Sequence, residues 1–140
     1  VYGDSVKADA LESSIQMALT NSNAFVPSGK AGMCWGQTVI GADFESSLGI
    51  CTNRPDGPAF EIEATFYNTQ GEVAQRRWEL DAGMALDLDI RSELAHELSD
   101  ATSGLPQQVW YVLRSPRPDI FAYSVCRNSI TGHCSGEHAF

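Results

Sequence analysis

Strict alternation of apolar and polar residues between positions 60 and 90 is the clearest pattern in this chain. Successive side chains of a β-strand point to opposite faces, so this pattern predicts strands with one dry face and one solvated face. Two glycine-containing turns divide the segment into three consecutive antiparallel strands. The first of these strands places its apolar residues at every second position: Phe60, Ile62, Ala64 and Phe66.

Further strand patterns occur on both sides of this segment. The β-rich part begins near Met33 with a hairpin whose arms are residues 35–40 and 47–50, followed later by a strand at residues 120–127 and a last arm at residues 128–140. Residues 109–113 are apolar on both parities, which is typical of a central strand buried on both faces. Seven or eight short strands predict an all-β fold, an antiparallel two-sheet sandwich of the jelly-roll or immunoglobulin-like type.

Two stretches have helical rather than strand periodicity. Residues 5–19 carry an apolar stripe, and a short helical insertion is predicted near residues 91–99, with Ser92 as its cap. We therefore divide the chain into an N-terminal helix and linker, residues 1–32, and a β-sandwich domain, residues 33–140. The N-terminal helix packs either on the sandwich or on a neighbouring subunit through its stripe, which consists of Leu11, Ile15 and Leu19.

Length and charge narrow the classes of partner. The chain has 140 residues, enough for one domain with one core, and a formal net charge of −9. A negative field of this size repels a phosphate backbone, so nucleic acid is not an expected partner. No apolar run approaches the roughly 20 residues that span a bilayer.

Four cysteines, none in a C-x-x-C pair, favour structural bridges over a zinc ribbon or a thioredoxin-type site. Cys34 and Cys51 are symmetric about one predicted turn, and Cys126 and Cys134 are symmetric about another. Four cysteines allow three connectivities, and we favour Cys34–Cys51 and Cys126–Cys134. This pairing predicts an oxidising compartment, extracellular or in the cell envelope. The alternative is four buried free thiols in a cytosolic domain.

The densest cluster of reactive residue types lies near the C-terminal end of the sequence. His133, Glu137 and His138 are a candidate metal-ligand set. Their spacing is one residue longer than the H-x-x-E-H pattern, which also requires a helix, so an exposed C-terminal arm is the favoured interpretation. A thiol–imidazole pair of Cys134 with His133 is disfavoured, because neighbouring strand residues point to opposite faces. A nucleophile elbow is disfavoured because the serine is displaced by one position from the G-x-S-x-G pattern and no strand-to-helix turn follows it.

Carboxylates two positions apart form a second group of candidates. Asp87 and Asp89 share a strand face, and so do Glu61 and Glu63. Their spacing of about 6–7 Å suits either a glycosidase pair or, together with Asp81, a calcium site. Both pairs lie on the polar parity, where solvated charges are expected.

Exposed aromatic rings are the basis of the carbohydrate-binding hypothesis. Rings on a sandwich face can stack on sugars, and the candidates are Tyr67, Trp110 and Tyr123, whereas Trp78 is assigned to the core.

The favoured function is that of a secreted or cell-envelope, non-enzymatic subunit that binds protein or self-assembles, with no cofactor. A carbohydrate-binding module is the first alternative, and a hydrolase or metal-dependent enzyme is the second. Assembly is expected through the N-terminal helix or through a sheet edge that accepts a strand. Three arginines provide a basic rim for an acidic neighbour: Arg114, Arg117 and Arg127.

Overall fold

Two antiparallel sheets form the part of the chain described by the computed structural model, residues 32–52, 56–98 and 105–139. The predicted N-terminal helix at residues 5–19 lies outside these ranges, so the helix and the proposed boundary after residue 32 stay predictions. In the described ranges, no helix is long and apolar enough to cross a membrane.

Each sheet has four strands, and consecutive strands of the chain often lie in different sheets. The strands are β1 (Gly32–Ile40), β2 (Phe44–Thr52), β3 (Phe60–Asn68), β4 (Gly71–Leu80), β5 (Ala85–Asp89), β6 (Gln107–Ser115), β7 (Ile120–Asn128) and β8 (Cys134–His138). The first sheet has the order β1-β6-β3-β4, and the second has the order β5-β2-β7-β8. The prediction of an all-β, two-sheet sandwich is confirmed.

The strand order also bears on the two variants expected from the sequence. An immunoglobulin constant-type domain pairs its strands as ABED and CFG. The eight described strands pair differently, so over these ranges the immunoglobulin-like order is not adopted. The jelly-roll variant stays a prediction.

The alternation in β3 has the expected result. Phe60, Ile62, Ala64 and Phe66 are buried between the sheets, whereas Glu61 is exposed on the outer face. β6 lies between β1 and β3, as its apolar character on both parities predicted. Its inner residues Val109, Tyr111 and Leu113 are fully buried. Burial of such side chains, about 1.5–3 kcal/mol each, is the main stabilising contribution to the fold.

The helical insertion is shorter and begins earlier than predicted. The helix of this insertion, α1 (Ile90–Glu93), follows β5 directly, and Asp89 rather than Ser92 caps it by accepting from the amides of Arg91 and Ser92. Turns continue to residue 98, and they bury Leu94 and Leu98 against the core. The apolar spacing predicted that Leu94 and Leu98 belong to one helical insertion. It did not show that Asp89, which lies on the polar face of a strand, also caps the helix.

An arginine joins the open side of the first sheet to this insertion. Arg76 lies among the inward positions of β4, and its Nη2 atom donates to Glu97 Oε1 (2.7 Å) and to the carbonyl oxygen of Glu93 (2.7 Å). This contact, which closes the side between β4 and β5, explains why Arg76 interrupts the apolar parity of its strand.

A second arginine pairs with a buried carboxylate at the turn between β6 and β7. Arg117 donates from Nε and Nη2 to the two carboxylate oxygens of Asp119, at 2.9 and 2.7 Å. Its guanidinium also lies 5.2 Å from the centroid of the Phe60 ring. Asp119 is only 2% exposed, so Arg117 offsets the cost of burying its charge.

Replacement of Arg117 by alanine is therefore expected to cost about 3–5 kcal/mol of unfolding free energy, because it leaves a buried carboxylate without its guanidinium. Urea unfolding provides the measurement. The control is Arg127→Ala, which removes an exposed pair with Glu45 (2.9 Å) and should cost less than about 1 kcal/mol. Equal losses in the two variants would contradict a structural role specific to Arg117.

The contact of Arg76 with Glu97 should make stability depend on pH in one direction. The hydrogen bond from Arg76 lowers the pKa of Glu97 below its ordinary value of 4.5. A carboxyl whose pKa is depressed in the folded state stabilises the protein above its unfolded pKa, and this contribution is lost as the pH falls through the folded pKa. The gap in melting temperature between the wild type and Arg76→Gln should therefore be constant near neutral pH and narrow below about pH 4.5.

Thermal unfolding between pH 3 and pH 7 would measure this gap. Arg77→Gln, which removes an exposed pair with Glu63, is the control. A gap that persists or widens in acid would show that Arg76 acts through packing alone.

Candidate functional site

The outer face of the first sheet carries an aromatic patch where solvated residues are expected. Strand alternation turns Met33, Trp35, Trp110, Val112 and Tyr67 to this face, and we call these five residues the aromatic patch. An antiparallel sheet with one face in water normally has polar residues there. Contiguous apolar residues on an exposed face are typical of an interaction surface.

Register brings the rings together. Tyr67 in β3 lies directly opposite Trp110 in β6, and Trp35 in β1 lies opposite Val112, one row along the same face. Side chains directly opposite each other have Cβ atoms about 4.5–5.5 Å apart, and diagonal neighbours are within reach of aromatic rings. Thr65, in the row of Trp35 and Val112, is only 3% exposed.

Exposure is greatest on the edge strand. Trp35 is 49% exposed and Met33 is 64% exposed, whereas Tyr67, Trp110 and Val112 are half-buried. The half-buried members are held by the central strands, and the exposed members lie beside them on β1. The aromatic patch thus combines half-buried residues on the central strands with exposed residues on the edge strand.

A charged row borders the aromatic patch at one end. Across the sheet it runs from Met33 through Arg114 and Glu63 to Arg77. Arg77 pairs with Glu63 at 2.9 Å and with Glu61 at 3.6 Å. Among the residues that the structure describes, Arg114 forms no ion pair, and it lines a shallow depression together with Met33, Glu61 and Glu63.

Two of the three predicted sugar-stacking residues belong to this patch and one does not. Tyr67 and Trp110 are neighbours, but Tyr123 lies on the outer face of the second sheet, where its ring covers Gly49. A Cβ atom at Gly49 would lie 2.1 Å from the Tyr123 ring, so the glycine accommodates the ring. Tyr123 therefore cannot contribute to the same platform.

Trp35 and Met33 were not among the sequence-based candidates. They lie in the strand that was assigned to a hairpin, and both parities of that strand contain apolar residues. The signal was present, because Met33 and Trp35 share the parity opposite to buried Cys34 and Ile40. Only the sheet order shows that this parity faces solvent beside Trp110.

The candidate metal ligands are not brought together. Glu137 and His138 are adjacent in β8 and point to opposite faces, and His133 lies before the strand, exposed. His138 Nδ1 lies 3.3 Å from the carbonyl oxygen of Ala139. Within residues 32–52, 56–98 and 105–139, no three His, Cys, Asp or Glu side chains form a cluster that could hold a metal ion.

The carboxylate pairs have other contacts. Asp89 accepts from two backbone amides at the start of α1 and from Ser92 Oγ at 2.6 Å. Glu63 is paired with Arg77, as described above. These contacts give Asp89 and Glu63 structural roles on solvated faces.

All four cysteines are free thiols, so the bridges expected from the sequence are not formed. Cys34 lies on the inner face of β1, and Cys51 lies on the outer face of β2, in the other sheet. Cys126 Sγ reaches Ser46 Oγ (3.5 Å) between the sheets, while Cys134, opposite Arg127, points the other way. Symmetric placement about a turn did not predict disulfide pairing, because it does not determine which sheet each cysteine enters or which face of the sheet its side chain occupies.

Three of these thiols are also poor nucleophiles. Burial raises the pKa of Cys34 from 9.0 to about 12. Burial likewise raises the pKa of Cys51 and that of Cys126, the latter against the opposing effect of its contact with Ser46. A thiol reacts as its thiolate, so at neutral pH these three cysteines are mainly protonated and react slowly.

Comparison with known proteins shows the fold and nothing more specific. No protein-family model matches the sequence, and no curated protein matches it. A solved structure of Thermotoga maritima 1070 is similar, with a TM-score of 0.57 at 12% identity, over 79% of this chain and 94% of that one. The Anabaena sensory rhodopsin transducer aligns with a TM-score of 0.45 at 15% identity, over 69% of this chain and 80% of that one.

Thiol chemistry provides a direct test of the cysteine assignments. Protein purified without reductant and then denatured should titrate four thiols per chain. In the folded protein, alkylation of Cys34, followed by peptide mass spectrometry, should be slow and should rise about tenfold per pH unit up to pH 9 without levelling. Fewer than four thiols, or a rate at Cys34 that levels near pH 8.5, would contradict this assignment.

Proposed function

We propose that this chain is a non-enzymatic assembly domain that binds protein through the outer face of its first sheet. The aromatic patch is the observation that carries the proposal. Trp, Tyr, Met and Arg are the residue types enriched in protein interfaces, and four members of the patch together with Arg114 are of these types. The exposed fractions of Trp35 and Met33 leave apolar area for a partner to cover.

A second copy of this chain is the partner that the face fits best. The charged row and the row of Trp110 and Tyr67 flank the central row of Trp35, Val112 and Thr65. A two-fold axis that runs along this central row would place Arg114 of each copy over the Trp110 and Tyr67 rings of the other. An arginine over an aromatic face is a favourable contact, and an isologous interface requires such self-complementarity.

The size of the face suggests a weak association. Four strands spaced about 4.8 Å apart and about nine residues long present roughly 500–600 Å² in projection. A standard interface buries about 800 Å² per partner, so we expect a dissociation constant on the order of micromolar or weaker. The helix predicted at residues 5–19 would add a second element of assembly.

The extracellular or cell-envelope location is separate from this proposal. The expectation of an extracellular or cell-envelope location rested on the predicted disulfide bridges, and the cysteines of those bridges are free thiols in the structure. Secretion therefore stays an expectation without a supporting contact.

Carbohydrate binding is the second candidate function, and the juxtaposition of Tyr67 with Trp110 favours it. Adjacent rings on a flat, accessible face can stack on consecutive sugar units, with Gln37 and Glu72 at the two ends of the same row as polar neighbours. Self-assembly and sugar binding use the same rings, so variants of Trp35 and Trp110 test both.

Sedimentation or light scattering over a concentration series is the decisive measurement for assembly. The wild type should associate reversibly above tens of micromolar. Trp35→Ala and Arg114→Glu should shift the protein to monomer, because they remove an apolar contact and reverse the charge over the opposite rings. Met84→Ala is the matched control, since Met84 is 60% exposed but lies in the turn before β5.

A wild type that stays strictly monomeric at several hundred micromolar would overturn the assembly proposal. A glycan array then decides the second candidate. Saturable binding that is lost in Tyr67→Ala and Trp110→Ala, but kept in Tyr123→Ala, supports a sugar platform on the first sheet. An array without binding removes that candidate.

A further inference from the structure

Among the described strands, none pairs with the edge of β1 that faces away from β6, and side chains of the second sheet cover this edge. Ser124 Oγ donates to the carbonyl oxygen of Gln37 at 2.8 Å, and Ser46 Oγ donates to the carbonyl oxygen of Val39. These contacts satisfy acceptors that a sheet edge would otherwise leave unpaired. They also hold the inner faces of β2 and β7 close to β1, and a space is left beside β8.

A cavity of about 180 Å³ lies between β1, β7 and β8, and we call it the polar slot. Residues of all three strands form its wall: Thr38 from β1, Ser124 and Cys126 from β7, and Ser135 and Glu137 from β8. An apolar cavity of about 150 Å³ accepts benzene, so the polar slot is large enough for a ligand of about six to eight non-hydrogen atoms.

A buried hydroxyl group in the wall of the polar slot makes no hydrogen bond with a described residue. It belongs to Thr38, which is only 5% exposed. The Tyr111 hydroxyl is buried as well, and burial is the main cause that raises its pKa, against the opposing effect of its contact with Ser124. An unsatisfied buried hydroxyl costs about 1–3 kcal/mol, so a ligand that bonded to Thr38 would recover part of that cost.

The charge of the slot selects the class of ligand. Glu137 is directly opposite Ser124 in the β7–β8 pair, which turns its side chain to the inner face. It is the one carboxylate among the described residues that line the slot, and none of them is a lysine or arginine. A metal ion is disfavoured, since no cluster of three ligating side chains occurs among the described residues.

We propose that the polar slot binds a small organic cation, a primary ammonium or amidinium compound. The Glu137 carboxylate pairs with the cationic group. The Thr38 hydroxyl and the carbonyl oxygens on the β1 edge accept its remaining N–H donors. Charge-assisted hydrogen bonds of this kind are stronger than neutral ones, so the cation is preferred over a neutral molecule of the same shape.

Titration of the full chain with 4-amino-1-butanol, followed by backbone amide NMR, tests the proposal. Saturable shifts are expected at Thr38, Ser124 and Glu137, and the neutral isostere 1,4-butanediol should bind at least tenfold more weakly. Glu137→Gln keeps the shape and removes the charge, so it should weaken binding of the amine at least tenfold. Glu61→Gln, an exposed change on the outer face of the first sheet, should have no effect.

Thr38→Val provides an independent arm, because it removes the unpartnered hydroxyl with little change in volume. It should weaken amine binding and raise the melting temperature of the free protein, whereas loss of a hydroxyl with a structural partner would lower it. Equal affinities for the amine and the diol would overturn the proposal. Unchanged amine binding in Glu137→Gln, or shifts that spread over the acidic surface without saturating, would also overturn it.

Discussion

A sandwich of two open sheets has two sides at which edge strands lack a strand neighbour, and the polar groups on those sides must be satisfied. This chain meets the requirement differently on each side. Between β4 and β5, Arg76 spans the opening and donates to Glu93 and Glu97 of the helical insertion. Between β1 and β8, hydroxyls from the second sheet, Ser46 and Ser124, donate to the free carbonyls of β1. The first closure is made by the long side chain of an arginine, whereas the closure by short hydroxyl side chains leaves the polar slot beside it.

The alternation of side chains made the sandwich predictable from the sequence, and it also limited what could be predicted about the site. In β3 the period of two separates buried Phe60 and Ile62 from Glu61, so the buried face was readable at once. In β1 and β6 both parities are apolar, so the sequence could not show which face is wet. That depends on the order of the strands, which places Trp35 and Trp110 on neighbouring strands although they are far apart in the chain.

The cysteine prediction failed for a related reason. The β1–β2 connection, with its bridge between Gly41 and Phe44, resembles an ordinary hairpin, but its two strands enter different sheets. Residues equidistant from such a turn diverge rather than face each other, which separates Cys34 from Cys51. Cys126 and Cys134 do lie on neighbouring strands, but their register is offset by one residue, and an offset of one moves a side chain to the other face. A reliable prediction would have needed the register, which no sequence spacing specifies.

The polar residues on the inner side of the β1 edge can be sorted by what the fold requires of them. Ser46 and Ser124 are needed for closure, because without their hydroxyls the carbonyls of Val39 and Gln37 lose their donors. Thr38 and Glu137 have no such role: the Thr38 hydroxyl has no partner among the described residues, and stability alone would favour valine at this position. Glu137 lines the same slot, and none of the described residues in its wall is a lysine or arginine that could pair with the carboxylate. The two residues that folding does not require are therefore the two that point to a bound cation.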